Sequence, residues 1–153
     1  VVTTDKNILY SAIAGVLEHI DEMMAFLNTS EESYKRLGEY SAPKNILCSK
    51  ENRNALIRIP AASGEYVRAE LRSPDPLTNP YIAFALIIKA ALYGIEKGLK
   101  LPDPVDVSDL DKDSTLSKST DKLPKSLKEA KSITLDSDFV KSSLNNGILE
   151  YLK

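Results

Sequence analysis

The chain has 153 residues, 42% of them hydrophobic, which is enough for one ordinary core. Its 20 basic and 22 acidic residues leave a net charge of −2, so no bulk field favours nucleic acid or an anionic membrane. A single cysteine, Cys48, excludes an intramolecular disulfide framework and suits a reducing cytoplasm. With no basic partner nearby, Cys48 reads as a small buried apolar group rather than a nucleophile. No basic start followed by an apolar run marks a signal peptide. The most apolar segment, Ile82 to Ile95, is interrupted by Lys89 and is shorter than the ~20 residues of a membrane span. A start other than Met suits a trimmed or partial chain.

From Asp5 to Asn28, apolar residues at Leu9, Ile13, Val16, Leu17, Ile20, Met23, Met24 and Leu27 recur at spacings of three and four, which predicts one amphipathic helix. His19, the only histidine, sits on it beside Glu18 and Asp21. A lone His without a second ligand or a nucleophile reads as structural. Asn28-Thr29-Ser30 ends the helix, and Ser30 with Ser33 caps a short second one through Leu37. Arg36 lies at its far end, where a cation complements the helix dipole. Gly38 to Lys44 reads as a loop, with Pro43 holding Ala42 extended. Asn45 to Lys50 reads as a strand leading towards Arg53.

The stretch Asn52 to Pro76, NRNALIRIPAASGEYVRAELRSPDP, is the most informative. Period-two alternation puts Leu56 and Arg58 on one face and Ala55, Ile57 and Ile59 on the other. After a break at Ala61-Ala62-Ser63-Gly64, a second run puts Tyr66, Arg68, Glu70 and Arg72 on one face and Val67, Ala69 and Leu71 on the other. Pro74 and Pro76 stop it, since proline cannot donate to a ladder. A five-residue connection from Ala61 to Glu65 would pair Pro60 with Tyr66, Arg58 with Arg68 and Leu56 with Glu70. All five arginines of the chain, Arg36, Arg53, Arg58, Arg68 and Arg72, fall within one quarter of it, whereas the lysines are scattered. Arg offers a planar fork matched to carboxylate and phosphate oxygens, so gathered guanidinium groups point to an anion site. An exposed hairpin laced with cross-strand pairs worth a few tenths of a kcal/mol each accounts for the pattern equally well.

Thr78-Asn79-Pro80 is a helix start, with Asn79 as cap and Pro80 in the first helical position. The helix from there to Leu99 is apolar on nearly every side, so it needs cover on every side, more than a chain of this length supplies. Asp103 to Lys122 is a polar connector. Its Asp109-Leu110-Asp111-Lys112-Asp113 run resembles the opening of a calcium loop but lacks the sixth-position glycine and the closing glutamate. A helical tail occupies 123–153. Leu123-Pro124 opens it with Ser126 as cap, Asp136 or Ser137 caps a further helix bearing Phe139, Val140 and Leu144, and Gly147 begins the last turns. There is no internal repeat.

The runs YKRL, SAP, NRNALIRIP, VRAELRSPDP and NPYIAFALIIKAAL, with the tail KLPKSLKEAKS and SDFVKSSL, occur in this order and resemble the C-terminal part of the glutamine synthetase catalytic domain, bacterial type I-like branch. The resemblance runs from about Ser11 onward. It implies an α+β fold in which antiparallel strands carrying the arginines pack with helices, as part of a larger catalytic domain in a cytoplasmic homo-oligomer. The implied activity is ATP-dependent ligation of ammonia to glutamate through a glutamyl phosphate, with Mg or Mn.

Position by position, the resemblance makes Glu70 a metal ligand. Arg36, Arg53 and Arg72 become contacts to glutamate and the phosphorylated intermediate, and Arg58 and Arg68 contacts to the ATP phosphates. Arg53 also has a catalytic role in that assignment. Where the family has Glu in a Y-E-A-P loop that closes the site and takes a proton from ammonium, this chain has Tyr40-Ser41-Ala42-Pro43. Serine is no base near neutral pH, and Glu39 on the same loop is the alternative. The family's N-terminal domain and the front of its catalytic domain, with the remaining metal ligands, have no counterpart here. One carboxylate cannot hold a hard divalent cation alone. The expectation is therefore a ligase segment inactive in isolation. The alternative is a degenerate module that binds anions or pairs with a full-length subunit.

Overall fold

The computed structural model describes residues 2–3, 5–50, 52–60, 67–104 and 121–152. Most of the polar connector, the aspartate run at 109–113 and the tip at 61–66 lie outside the described residues.

The N-terminal helical run divides in two. Helix α1 (Lys6–Glu18) starts at Asp5, whose side chain accepts from Asn7 N at 2.8 Å, and α2 (Ile20–Leu27) follows after a break at His19. The single helix expected over 5–28 is thus corrected, because the break lets α1 lie along α4 (Pro80–Glu96) while α2 packs on α5 (Leu127–Asp136). His19 fills the joint as a structural group. Its ring stacks on Phe139 at 4.0 Å, meets Tyr93 edge-on, and its Nδ1 lies 2.7 Å from Glu22 Oε1. Ser30 caps α3 (Glu31–Arg36) by accepting from Ser33 N.

The expected caps of the later helices are present, and each satisfies backbone donors that the helix itself cannot. Asn79 accepts from Tyr81 N and Ile82 N, with Pro80 in the first turn of α4. That helix stops at Glu96 rather than Leu99, because Gly98 (φ +60°) turns the chain and Leu99 N reaches back to Gly94 O at 2.9 Å. Ser126 caps α5, Ser137 caps α6 (Asp138–Ser143), and Asn145 rather than Gly147 begins α7 (Asn146–Glu150).

Short strands lie between these helical layers. β2 (Cys48–Ser49), β3 (Ile57–Arg58) and β5 (Glu70–Leu71) form one sheet in the order β2-β3-β5, while β4 (Val67–Arg68) pairs antiparallel with β1 (Val2–Thr3). The α+β class holds, but β2 runs parallel to β3, so the strands are not all antiparallel. The register is also corrected. Arg58 lies opposite Glu70 and Ile57 opposite Leu71, rather than Arg58 opposite Arg68. Over its described residues the expected second run is not one strand, since Val67–Arg68 pairs with β1 and Glu70–Leu71 pairs with β3. The slip is two residues, an even number, so the arginine face is preserved. Leu56, expected on that face, is nevertheless fully buried, as are Ala55 and Ile57. Cys48 is buried too, and burial pushes its thiol up to about 11, as suits an inert core residue.

The core gathers Leu9, Ile13, Ile20, Met23, Met24, Leu27, Leu56, Leu86 and Val140 from helices and sheet alike. At its centre the backbones of α1 and α4 touch. A Cβ on Gly94 would stand 2.1 Å from Ser11 O, and one on Gly15 would stand 2.2 Å from Ala90 O. Only one stripe of α4 is covered, by Ala83, Leu86, Ala90, Ala91 and Gly94. The opposite stripe, Tyr81, Phe84, Ile88, Leu92 and Ile95, is 36–85% exposed. The all-round apolar helix therefore does have a face that the described chain leaves open.

Two outcomes follow from α4. Gly94→Ala puts a methyl group into backbone atoms and is expected to lower unfolding free energy by about 1–3 kcal/mol or more, read by urea denaturation. Light scattering of the chain is expected to show self-association that Phe84→Lys with Ile88→Lys abolishes, because burying each large apolar side chain stabilises association by about 1.5–3 kcal/mol. A monomer unchanged by that pair of substitutions contradicts the reading of the stripe as an uncovered interface.

Candidate active site

The sheet and its flanking loops bring the arginines together in three linked groups. The first is centred on Glu70. Arg58 Nη1 donates to Glu70 Oε2 at 3.0 Å across the β3–β5 pair, and Arg68 Nε lies 3.5 Å from Glu70 Oε1. The carboxylate is therefore bracketed by two guanidinium groups, as the alternation of the sequence implied, and Arg58 and Arg68 share a face. Arg58 and Glu70 are half-buried, whereas Arg68 is mostly exposed. The hydrogen bond from Arg58, then the charges of Arg58 and Arg68, hold the Glu70 carboxyl below the ordinary value of 4.5 against the opposing effect of burial.

The second group joins Arg72 to Arg53. Arg72 follows β5 directly, and its Nε donates to the backbone carbonyl of Arg53 at 2.7 Å. Arg53 is exposed on a turn in which Asn54 N donates to Asn52 Oδ1 at 2.8 Å. The third group is Arg36, whose Nη2 donates to Ser73 O at 2.7 Å and to Asn28 Oδ1 at 3.3 Å. Arg36 thus docks on the residue after Arg72, which a role as a mere helix-end cation does not require. Arg36 Nε and Ser73 Oγ are buried and have no hydrogen-bond partner among the described residues.

The residues that fix Arg36 were not singled out in the sequence. Asp75 accepts from Ser33 Oγ and from Leu77 N at 2.8 Å, and its amide donates to Leu27 O at 3.1 Å. It thereby ties α2, α3 and the 73–77 turn together. Its signal was the Pro-Asp-Pro sequence, where an Asp side chain can close a turn on the backbone.

Ser41 is exposed on the loop after α3, at φ +76°, next to the fully exposed Tyr40 at φ +46°. The loop closes on itself through Ala42 N to Glu39 O at 2.7 Å and Gly38 N to Ala42 O at 3.2 Å, and returns to the helix through Glu39 N to Arg36 O at 3.0 Å. Two consecutive non-glycine residues in the left-handed region mark a strained segment. Among the described residues neither the Ser41 nor the Glu39 side chain bonds to the arginine groups, and the loop is joined to them through the Arg36 backbone.

Chemically, five guanidinium groups in linked clusters with one carboxylate among them suit an anionic ligand with several oxygens. They do not suit a divalent cation held by this chain by itself. Among the described residues no group of three or more His, Cys, Asp or Glu side chains gathers as a ligand set, and the one carboxylate present is engaged by arginine. Titration of Glu70 followed by side-chain carboxyl NMR is expected to show a midpoint below 4.5. Arg58→Gln should raise it more than Arg68→Gln. The stability that Glu70 contributes is complete above the unfolded value and is lost as pH falls through the lowered folded value.

The sequence and the fold match known proteins. A family model described as "Glutamine synthetase, catalytic domain" matches residues 3–152. The chain is 42% identical over 145 residues to a glutamine synthetase of Methanosarcina mazei, an alignment covering 91% of this chain and 32% of that one. It is 38% identical over 151 residues to that of Clostridium saccharobutylicum, covering 94% and 34%. Among solved structures, an ADP complex of GmaS superposes with a TM-score of 0.80 at 27% identity, covering 96% of this chain and 34% of that one. The chain spans about a third of the length of these relatives. No described helix is long and apolar enough to cross a membrane. With a match over nearly its whole length in sequence and in fold, the chain belongs to the glutamine synthetase catalytic-domain family.

Proposed function

We propose that this chain supplies the arginine-bearing part of the active site of a glutamate–ammonia ligase, which forms glutamine from glutamate, ammonia and ATP. The observation that carries this reading is the bracketing of Glu70 by Arg58 and Arg68, with Arg72 joined to the Arg53 backbone and Arg36 to Ser73, in a family whose relatives are glutamine synthetases. In the reaction a glutamate side-chain oxygen attacks the γ-phosphorus of ATP, and ADP leaves. Ammonia then attacks the acyl carbon, expelling phosphate. Both steps crowd negative oxygens together, and preorganised guanidinium groups offset that repulsion.

In this proposal Arg36, Arg53 and Arg72 hold glutamate and its phosphorylated form, with the unpartnered Arg36 Nε as a spare donor. Arg58 and Arg68 face the nucleotide phosphates, a role that suits a chain whose fold resembles a protein solved as an ADP complex. Glu70 contributes one oxygen to a Mg or Mn ion whose other ligands come from outside this chain. The active species is then a longer ligase or an assembly, and the open face of α4 suits a cytoplasmic homo-oligomer or the remainder of such a chain. The isolated chain is inactive in this reading.

A second reading is favoured by Ser41, which cannot take a proton from ammonium. It makes the parent a remnant that binds anions without completing synthesis. The two are separable in the ligase carrying this segment, because loss of one positioned base costs roughly 10²–10⁴ in rate while acyl phosphate formation does not need it. Glutamate-dependent ATP turnover is expected with little glutamine, and Ser41→Glu is expected to restore glutamine output. The positive φ at this position reduces the gain. Family-typical glutamine output in the wild type, unaffected by Glu39→Gln, contradicts this account of the loop.

A further inference from the structure

The guanidinium of Arg72 faces two ways. Its Nε–H is committed to the Arg53 carbonyl at 2.7 Å, and its own backbone amide is fixed by Leu56 O at 2.9 Å. The turn that carries Arg53 also has hydrogen bonds of its own. Asn52 N reaches Ser49 Oγ only at 3.4 Å, and the Asn54 N to Asn52 Oδ1 bond lies within the turn itself. Residues 53 and 54 are both exposed, whereas Ala55 and Leu56 just beyond them are fully buried. The Arg72 bond is a short link from the end of β5 to the Arg53 backbone.

A guanidinium is planar, so fixing Nε–H on a carbonyl also fixes the direction of the terminal Nη1/Nη2 edge. That edge, like the whole Arg53 guanidinium, makes no hydrogen bond among the described residues. We propose that Arg72 is a positioning residue for Arg53: it binds an anionic oxygen pair with its terminal edge while its Nε sets the height and orientation of the Arg53 turn. The pair then meets the ligand at a spacing set before binding, which lowers the ordering cost of two long side chains. Lysine at position 72 keeps a charge but, with one nitrogen on a flexible stem, cannot serve carbonyl and ligand together in a fixed plane. The ligand half of this inference rests on the function proposed above, whereas the clamp rests on geometry alone.

The test combines hydrogen exchange with a kinetic cycle. By NMR of the chain, the Arg72 Nε–H is expected to exchange slowly in the wild type and in Arg53→Ala, which keeps the carbonyl. Arg72→Lys and Arg72→Gln should speed exchange of the Asn52 and Asn54 amides by about tenfold or more, the loss of one charge-assisted hydrogen bond, while the sheet amides of Ile57 and Leu71 stay protected. A rapidly exchanging Arg72 Nε–H in the wild type overturns the clamp without any variant having to fold. So do turn amides unchanged in Arg72→Lys. In the ligase carrying this segment, kcat for glutamate-dependent ATP turnover should fall no further in Arg72→Lys with Arg53→Ala than in Arg53→Ala alone, whereas KM for glutamate rises further. Fully additive losses in kcat overturn the positioning role. A wild type with no glutamate-dependent turnover but a protected Nε–H removes the proposed function and leaves the clamp standing, so the two failures are distinguishable.

Discussion

Five like charges have to be held together, and the only carboxylate bonded to any of them among the described residues is Glu70. The fold meets this constraint by giving each guanidinium a different kind of acceptor. Arg58 and Arg68 share the carboxylate, Arg72 takes a backbone carbonyl, and Arg36 takes a carbonyl together with an amide oxygen. Carbonyl acceptors lower the energy of a cation without neutralising it, so positive charge remains for a ligand. A scaffold with one carboxylate per arginine would be quieter and would have no field left to bind with. The β3–β5 register matters for the same reason: by placing Glu70 opposite Arg58, it sets the one strong neutralisation where the strands pair.

Much of this was legible in the sequence where a rule is local. Asn79 before Pro80, Ser126 and Ser137 each cap a helix because a short polar side chain must satisfy orphan amides wherever the chain turns helical. The arginine face was legible because side-chain direction in a strand has period two, which survived even the wrong register. What failed was non-local. The break at His19 follows from α1 and α2 packing on different helices, α4 and α5, which no window around residue 19 contains. The split of residues 67–71 between two strand partners depends on the chain's second and third residues. Arg36 looked like a helix-end cation because Ser73 and Asn28, its acceptors, lie at a sequence distance from it that periodicity does not address.

The helix α4 occupies both sides of this contrast. One stripe consists of small residues pressed against α1, and the other of large apolar residues with nothing described over them. A sequence reading sees only that every side is apolar. The structure divides that uniform hydrophobicity into a seam already closed and a face left open, on the same helix that runs away from the SPDP turn below the arginines.

The seam also bears on how the site comes into being. Gly15 and Gly94 meet backbone to backbone, and every arginine of the chain lies between them in sequence. Docking α1 onto α4 therefore closes one long loop that contains the entire set. Holding that loop closed carries an entropic cost, which the α1–α4 contact offsets apart from anything the guanidinium groups do. The arginine groups thus sit within a ring whose clasp is two residues without side chains.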